Sequence, residues 1–167
     1  MNTEVMAKDY LKRAERCLLE SEHALLDGDY PMTVRRAQEC VELSLKAALR
    51  AFTIEYPKRH DVGDALPLIR DKVPDWFSSK IPQLSATSSD LARKRGPAMY
   101  GYESELKPAS EIFGKNDAEE AFNSAKETFA LCKRLIEELF NKKPKSSTTR
   151  NIDPDPKLNM ALPSSKK

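Results

Sequence analysis

A short break, Asp27-Gly28-Asp29, separates two long stretches in which apolar residues recur every three to four positions. This spacing predicts two helices, over about Thr3–Leu26 and about Tyr30–Phe52. Gly28 can adopt the left-handed conformation that ends a helix, and Asp29 can cap the helix that follows. Because so short a turn leaves its two helices side by side, the pattern predicts an antiparallel helical hairpin.

The rest of the chain up to residue 140 also follows helical spacing. A short third helix is predicted from Ala65 to Val73, and a fourth from about Pro82 to Arg95, where Gly96-Pro97 is expected to stop it. Residues 98–115 are predicted to be irregular. A last helix is expected from Asn116 to Phe140.

Three local signals refine these boundaries. Asp61 or Asp64 can cap the third helix, and Asn116 with Glu119 resembles a capping box at the start of the last helix. The aromatic pair Trp76-Phe77 is predicted to plug one end of the core. The chain is thus expected to be all-α, an antiparallel up-and-down bundle of four to five helices.

Charge divides the chain into two parts. Residues 141–167 carry seven Lys and Arg side chains against two Asp, a net charge of +5, which leaves −3 for residues 1–140 out of a total of +2. The helical bundle is therefore expected to span residues 1–140. The basic tail, residues 141–167, is polar and rich in Pro and Ser, and it is predicted to be disordered. A mildly acidic body argues against a broad nucleic-acid clamp, so any anion site in it must be local.

The three cysteines, Cys17, Cys40 and Cys132, are widely spaced and lie beside apolar residues. Buried thiols in a reducing compartment explain that pattern better than disulfides or metal ligands. The N-terminus has no apolar signal-peptide core, and no apolar run is long enough to span a bilayer. A cytoplasmic location, with no membrane contact, is therefore expected.

The second helix carries a row of charged residues opposite its apolar side: Arg35, Glu39, Glu42 and Lys46. Rows of this kind are usually solvated faces with i,i+4 ion pairs, and this is the interpretation we favour. The alternative is a polar groove or a dimer contact.

The order of these segments carries a family resemblance. The helical hairpin leads into RRAQECVELSLKAALRAF, then RHDVG, then DLARKRGPAMYGYE, and a final helix contains AEEAFNSAKETFA. Over residues 3 to 140 this order resembles the HEPN family (higher eukaryotes and prokaryotes nucleotide-binding domain), in particular its small stand-alone prokaryotic members. The resemblance implies a bundle that forms homodimers. It also implies three possible functions. These are a toxin–antitoxin-like partner of a small nucleotidyltransferase, a metal-independent endoribonuclease, and a nucleotide-binding or non-catalytic partner or scaffold.

The ribonuclease motif of the family, Arg-x(4–6)-His, falls on residues 95–100. Arg95 matches the arginine, but Tyr100 stands where a histidine is expected. A tyrosine, with an ordinary pKa of about 10, is a poor base near neutral pH, although it can donate to a phosphate or stack on a base. Arg95 shares a helix face with Leu91, whereas Arg93 points to the other side. A buried arginine needs an anionic partner, either an internal carboxylate or a bound phosphate.

The remaining candidates surround these positions. His60 is either a loop residue at the start of the third helix or a substitute base and phosphate donor, and Lys58-Arg59-His60 forms a local cationic cluster. The candidate catalytic set is Arg95, Tyr100 and His60. The candidate phosphate-binding set is Arg95, Lys94, Arg93, His60 and Arg59. The sequence contains no glycine-rich phosphate loop and no zinc-ligand spacing, so neither a metal nor a cofactor is expected. Binding of a nucleotide or RNA is favoured over cleavage.

Overall fold

Two long helices form the predicted hairpin. In the computed structural model, which describes residues 2–142, α1 is Thr3–Leu26 and α2 is Tyr30–Ala51. Gly28 has a φ of +74°, and the Asp29 side chain accepts a hydrogen bond from the backbone N–H of Met32 at 3.2 Å. The predicted turn chemistry and both helix spans are therefore confirmed.

Shorter elements follow the hairpin before the last long helix. They are a 3₁₀ segment Gly63–Lys72, α3 Asp75–Ser78, α4 Ile81–Tyr100, a 3₁₀ turn Glu103–Glu105, α5 Ala109–Ile112 and α6 Lys115–Phe140. The central helix is α2, which packs against α1, α4 and α6. The described part of the chain contains no strand beyond one isolated bridge between Tyr102 and Lys107. The all-α bundle predicted from the sequence is confirmed.

The predicted end of the fourth helix was wrong, because α4 runs through Gly96-Pro97 as far as Tyr100. Proline disfavours helical geometry at the preceding residue through contacts that include that residue's Cβ, and glycine has none. The helix ends instead at Gly101, whose φ is +67°. A Cβ there would clash with the carbonyl oxygen of Lys107. Both the positive φ and this close approach therefore require glycine.

Two other boundaries differ from the predictions. The third helix is a 3₁₀ segment, consistent with Pro67 inside it, which has no N–H for an α-helical hydrogen bond. The last helix begins at Lys115, one residue early. Its cap is the Asp117 carboxylate, which accepts from the N–H of Gly114 at 2.9 Å, rather than the predicted pair Asn116 and Glu119.

The core lies between α2 and the helices around it. Phe77 is fully buried and packs edge to face with the partly buried Trp76, with ring centroids 5.8 Å apart, so the pair belongs to the core; its place at one end of the core stays a prediction. Cys40 and Cys132 are buried and Cys17 is half-buried, all three as free thiols. Cys40 and Cys132 are therefore core residues, as predicted, whereas Cys17 packs against the core and is only partly buried.

The predicted basic tail lies outside the described residues, apart from Asn141 and Lys142. Among the described helices, none has the length and apolar content needed to cross a membrane.

Candidate functional site

The charged row of α2 forms the predicted i,i+4 ion pairs, but it is largely buried, so its interpretation as a solvated face was wrong. The side chains of Arg35, Glu39, Glu42 and Lys46 are only 13%, 20%, 13% and 15% exposed. The row is covered by α4, which contributes Arg95, and by the segment that follows α2, which contributes His60. We call these six residues, together with Gln38, the α2 polar network.

Gln38 joins the two ends of the network. Its side-chain carbonyl accepts a hydrogen bond from Arg95 Nη1 at 2.6 Å, and its amide nitrogen donates to Glu42 Oε2 at 2.9 Å. The same Glu42 oxygen lies 3.1 Å from Nδ1 of His60. The other Glu42 oxygen accepts from Lys46 at 2.7 Å. Arg95 and His60, two of the candidate catalytic residues, therefore belong to one hydrogen-bonded chain.

Glu39 forms the second half of the network. Its Oε1 accepts from Arg35 Nε at 3.2 Å and lies 3.5 Å from Arg95 Nη1. Its Oε2 accepts from Arg36 Nη1 at 2.7 Å. Three guanidinium groups thus surround a single carboxylate. Arg36 also pairs with Glu20, so three guanidinium groups meet two carboxylates, and one excess positive charge remains to favour an additional anion.

Arg95 keeps donors that the protein does not use. Within residues 2–142, its hydrogen bonds to Gln38 and Glu39 both come from Nη1, and neither Nε nor Nη2 is a buried unsatisfied atom. An arginine fork recognises phosphate through pairs of such N–H groups. The internal carboxylate and the external anion predicted as alternatives for Arg95 are therefore compatible, because Glu39 and Gln38 fix the side chain and leave the rest of its fork open.

The loop that carries His60 is held against α4. Asp61 accepts hydrogen bonds from the hydroxyls of Ser88 and Ser89 at 2.8 and 2.7 Å and from the N–H of Gly63 at 2.9 Å. Burial alone would raise the pKa of Asp61, but these three hydrogen bonds hold it below its ordinary value. A Cβ at position 63 would lie 2.7 Å from the backbone oxygen of Ser85, so only glycine permits this contact.

His60 is oriented by Glu42. Since a carboxylate only accepts, Nδ1 of the ring is the donor, and in the neutral ring Nε2 is then the acceptor. The ring is 56% exposed, which leaves this second nitrogen open to a ligand. Burial alone would raise the pKa of Glu42, yet hydrogen bonds from Lys46, Gln38 and His60 and the charge of Lys46 bring it below the ordinary value. The carboxylate is therefore ionised at neutral pH.

The other predicted site residues lie elsewhere. Arg93 and Lys94 both pair with Asp90, on the side of α4 away from Arg95, as the helical spacing predicted for Arg93. Arg59 pairs with Asp64, which reduces the charge of the predicted cationic cluster. Tyr100 is 67% exposed and follows Arg95 by five positions, a rotation of about 140° around the helix. The structure thus brings Arg95 and His60 into one network and separates Arg59, Arg93, Lys94 and Tyr100 from it.

The sequence analysis did not identify two residues of the site, Gln38 and Arg36. Gln38 is 1% exposed and makes the link between Arg95 and Glu42. Its signal was its place on the apolar side of α2, next to Ala37 and close to Val41, where a polar side chain needs buried partners. Arg36 was missed because its neighbour Arg35 was assigned to the charged row, although Arg36 also lies three positions before Glu39.

Metal chemistry finds no support in the described residues. Residues 2–142 contain no group of three or more His, Cys, Asp or Glu side chains placed to hold a metal ion. What the α2 polar network offers is hydrogen-bond donors, positive charge and one oriented imidazole.

The chain is similar to proteins from archaea and bacteria. It is 29% identical to "Putative toxin MJ1304" of Methanocaldococcus jannaschii over 143 residues, which covers 82% of this chain and 92% of that protein. The crystal structure of TT1696 from Thermus thermophilus superposes with a TM-score of 0.64 at 24% identity, covering 80% of this chain and 98% of the other. ST0689, described as an archaeal HEPN homologue, gives 0.58 at 24% identity, covering 78% and 97%.

These likenesses agree with the resemblance found in the sequence. At 24% identity, the two crystal structures show a shared fold but do not establish a shared function. The sequence model of the HEPN domain matches residues 7–135, which include every helix from α2 to α5 and most of α1 and α6. The chain therefore belongs to the HEPN domain family.

Proposed function

We propose that this protein is a homodimeric RNA-binding module that acts as the toxin-like partner of a small nucleotidyltransferase. The observation that carries the binding function is the α2 polar network. Burying charged side chains costs free energy unless they are paired, and apolar residues of similar size would fill the space between α2 and α4 equally well. Arg95, held by Gln38 and Glu39 with part of its fork open, is the group best suited to bind a phosphate.

Two observations support the toxin-like role: the similarity to a relative named as a toxin and the membership of the HEPN family. The relative from Methanocaldococcus jannaschii is named as a toxin, and the match covers most of both chains. Pairing with a nucleotidyltransferase is what the HEPN resemblance implies. Co-purification of the two proteins, when a small nucleotidyltransferase is encoded beside this one, tests that part of the proposal.

Homodimer formation has support from the surface near the end of α4. Four large apolar side chains are exposed within eight residues there: Met99, Tyr100, Tyr102 and Leu106. Leu106 is 91% exposed and has a φ of +52°, an uncommon conformation for a leucine. Exposed apolar residues clustered in this way mark interaction surfaces. Sedimentation equilibrium of the wild-type protein tests the dimer, and a monomer at all concentrations would contradict it.

Replacing Arg95 with alanine should weaken binding to single-stranded RNA by about 10- to 100-fold, the value of a charge-assisted hydrogen bond or two to phosphate. Fluorescence anisotropy with a labelled RNA measures this. The matched control is Arg93→Ala, which removes an exposed arginine from the same helix and should change affinity by less than about threefold. Because Arg95→Ala also disturbs Gln38, Arg95→Lys serves as a second variant that keeps the charge and loses the fork. Equal affinities for the wild type, Arg95→Ala and Arg95→Lys would overturn the phosphate role.

A second function, metal-independent ribonuclease, is favoured by one observation, the 3.1 Å contact between Glu42 and His60. With Nδ1 bonded to the carboxylate, Nε2 can take the proton of an RNA 2′-hydroxyl. The freed oxygen attacks the adjacent phosphorus, a 2′,3′-cyclic phosphate forms, and the 5′-oxygen leaves and takes a proton from water.

This alternative predicts RNA cleavage in the presence of EDTA that is lost in His60→Ala and retained in Tyr100→Phe. Gel electrophoresis of end-labelled RNA reads the result, and His23→Ala, which removes an exposed histidine on α1, is the control. Intact RNA after incubation with a folded wild-type protein that binds it would leave binding as the function. Cleavage that persists in His60→Ala would exclude His60 as the base.

A further inference from the structure

A groove lies between α1 and α2, beside the α2 polar network. Its volume is about 640 Å³, within the range of sites that hold nucleotide-sized ligands. Cations and carboxylates line it together: Lys12, Arg13, Arg16 and Arg36 against Asp9 and Glu20. The three cations of α1 lie within one turn of each other, so they share one face of the helix.

The charges of the groove do not cancel. Arg13 pairs with Asp9 at 2.9 Å, and Arg36 pairs with Glu20 at 3.1 Å. Across residues 2–142, neither Lys12 nor Arg16 forms an ion pair, and both are exposed. The groove therefore carries a net charge of +2 in a body whose total is negative. Such a local excess of cations on an acidic protein is where an anionic ligand is most favoured.

One residue, Arg36, connects the groove to the proposed RNA site. Arg36, which lines the groove, also donates to Glu39 at 2.7 Å, and Glu39 in turn lies beside Arg95. The groove also contains Cys17, whose pKa is raised to about 11 by burial first and by Glu39 next, so the thiol is neutral. Arg36 thus connects the cations of the groove to Arg95 through the Glu39 carboxylate, which both arginines contact.

We infer that this groove binds the backbone of single-stranded RNA, with Lys12 and Arg16 contacting phosphates on one side of the nucleotide held at Arg95. The inference rests on the proposed function and names its ligand class: an oligonucleotide strand rather than a single nucleotide. The two cations stand one helical turn apart on long side chains, which suits successive contacts to a flexible backbone. Contacts of this kind position a strand without reading its sequence.

The double variant Lys12→Gln/Arg16→Gln tests the inference through the salt dependence of RNA binding. Each phosphate contact on single-stranded nucleic acid contributes about −0.7 to the slope of log K against log salt. Removing two contacts should make the slope shallower by about 1.4 and weaken binding about 25-fold at about 0.1 M salt. The probe is a labelled single-stranded RNA of about 12 nucleotides of mixed sequence, titrated between about 50 and 200 mM salt.

The matched control is Lys126→Gln/Lys133→Gln, which removes the same charge from exposed positions of α6 that form no ion pair among the described residues. It should leave the slope close to that of the wild type. An equal change in both double variants would show a general charge effect and overturn the inference. An unchanged slope in the groove variant, with Arg95→Ala still impaired, would overturn the groove alone.

Two further outcomes are decisive. A wild-type protein that binds no RNA would overturn both the groove and the proposed function. Binding of poly-glutamate that is lost in the groove variant, while RNA binding is unchanged, would assign the groove to an acidic protein segment and overturn the RNA inference. Circular dichroism of each variant verifies that it is folded before binding is measured.

Discussion

Replacement of Glu42 with alanine should lower the free energy of unfolding by about 2–4 kcal/mol, because it removes one partner of a largely buried ion pair. The carboxylate is 13% exposed and accepts hydrogen bonds from Lys46 and Gln38, in addition to its contact with His60. Without it, the Lys46 ammonium, 15% exposed, loses its counterion. Urea denaturation followed by circular dichroism measures the difference.

The matched control is Glu4→Ala. Glu4 pairs with Lys8 at 2.6 Å in the same i,i+4 geometry that Glu42 makes with Lys46 at 2.7 Å, but both α1 side chains are about half exposed. Its loss should cost less than about 1 kcal/mol. Equal losses of unfolding free energy in the two variants would mean that burial does not strengthen the ion pair between Glu42 and Lys46.

The cost of Glu42→Ala should also depend on pH. The pKa of Glu42 in the folded protein is below its ordinary value of 4.5, so its contribution is complete above that pH and is lost as the pH falls through the folded value. The difference in unfolding free energy between the wild type and the variant should therefore shrink on acidification from neutral pH. A difference that is constant down to about pH 3 would contradict an ionised, stabilising Glu42.

Replacement of Phe77 with alanine should cost about 3–5 kcal/mol of unfolding free energy, the range for a large aromatic removed from a core. Phe77 lies in α3, is fully buried in the main core cluster and packs on Trp76. The cost combines the lost transfer of the ring out of water with the cavity it leaves behind. For a domain of this size, such a loss is a large part of the total stability.

Leu68→Ala is the control for Phe77→Ala. Leu68 lies in the neighbouring 3₁₀ segment and is 59% exposed, so its truncation should cost below about 1 kcal/mol. Denaturation curves for the two variants, compared at equal m-values, give the difference. A loss of unfolding free energy in Phe77→Ala as small as that in Leu68→Ala would show that the Phe77 ring contributes little to the core.

The site was only partly predictable from the sequence. The helical period placed Arg95 on the buried side of α4 and Arg93 on the other, because side-chain direction within a helix is a local property. The partners of Arg95 could not be read in the same way, since Gln38 lies 57 positions earlier in the chain. His60 was recognised as a candidate, but the Glu42 side chain that orients it lies 18 positions away on another element.

The end of α4 was also predicted wrongly, for a reason that is partly local. Gly96-Pro97 is a helix stop by most local rules, yet α4 continues to Tyr100. Arg35 of α2 donates to the carbonyl oxygen of Arg95 at 2.9 Å and so provides that group with a partner from outside the helix. The local rule failed first because glycine has no Cβ for the following proline to crowd, and the Arg35 contact adds a tertiary partner to the same part of the helix.

The sequence by itself determined the helices, the α1–α2 hairpin and the family, because apolar periodicity, capping and glycine turns act over a few residues. Only the tertiary structure decided whether the row Arg35, Glu39, Glu42 and Lys46 meets solvent or protein. A row of positive and negative side chains is compatible with an exposed face and with a covered one, and the difference lies in what packs over it. Here α4 and the loop held by Asp61 cover the row, and this burial joins Arg95 and His60 into one site.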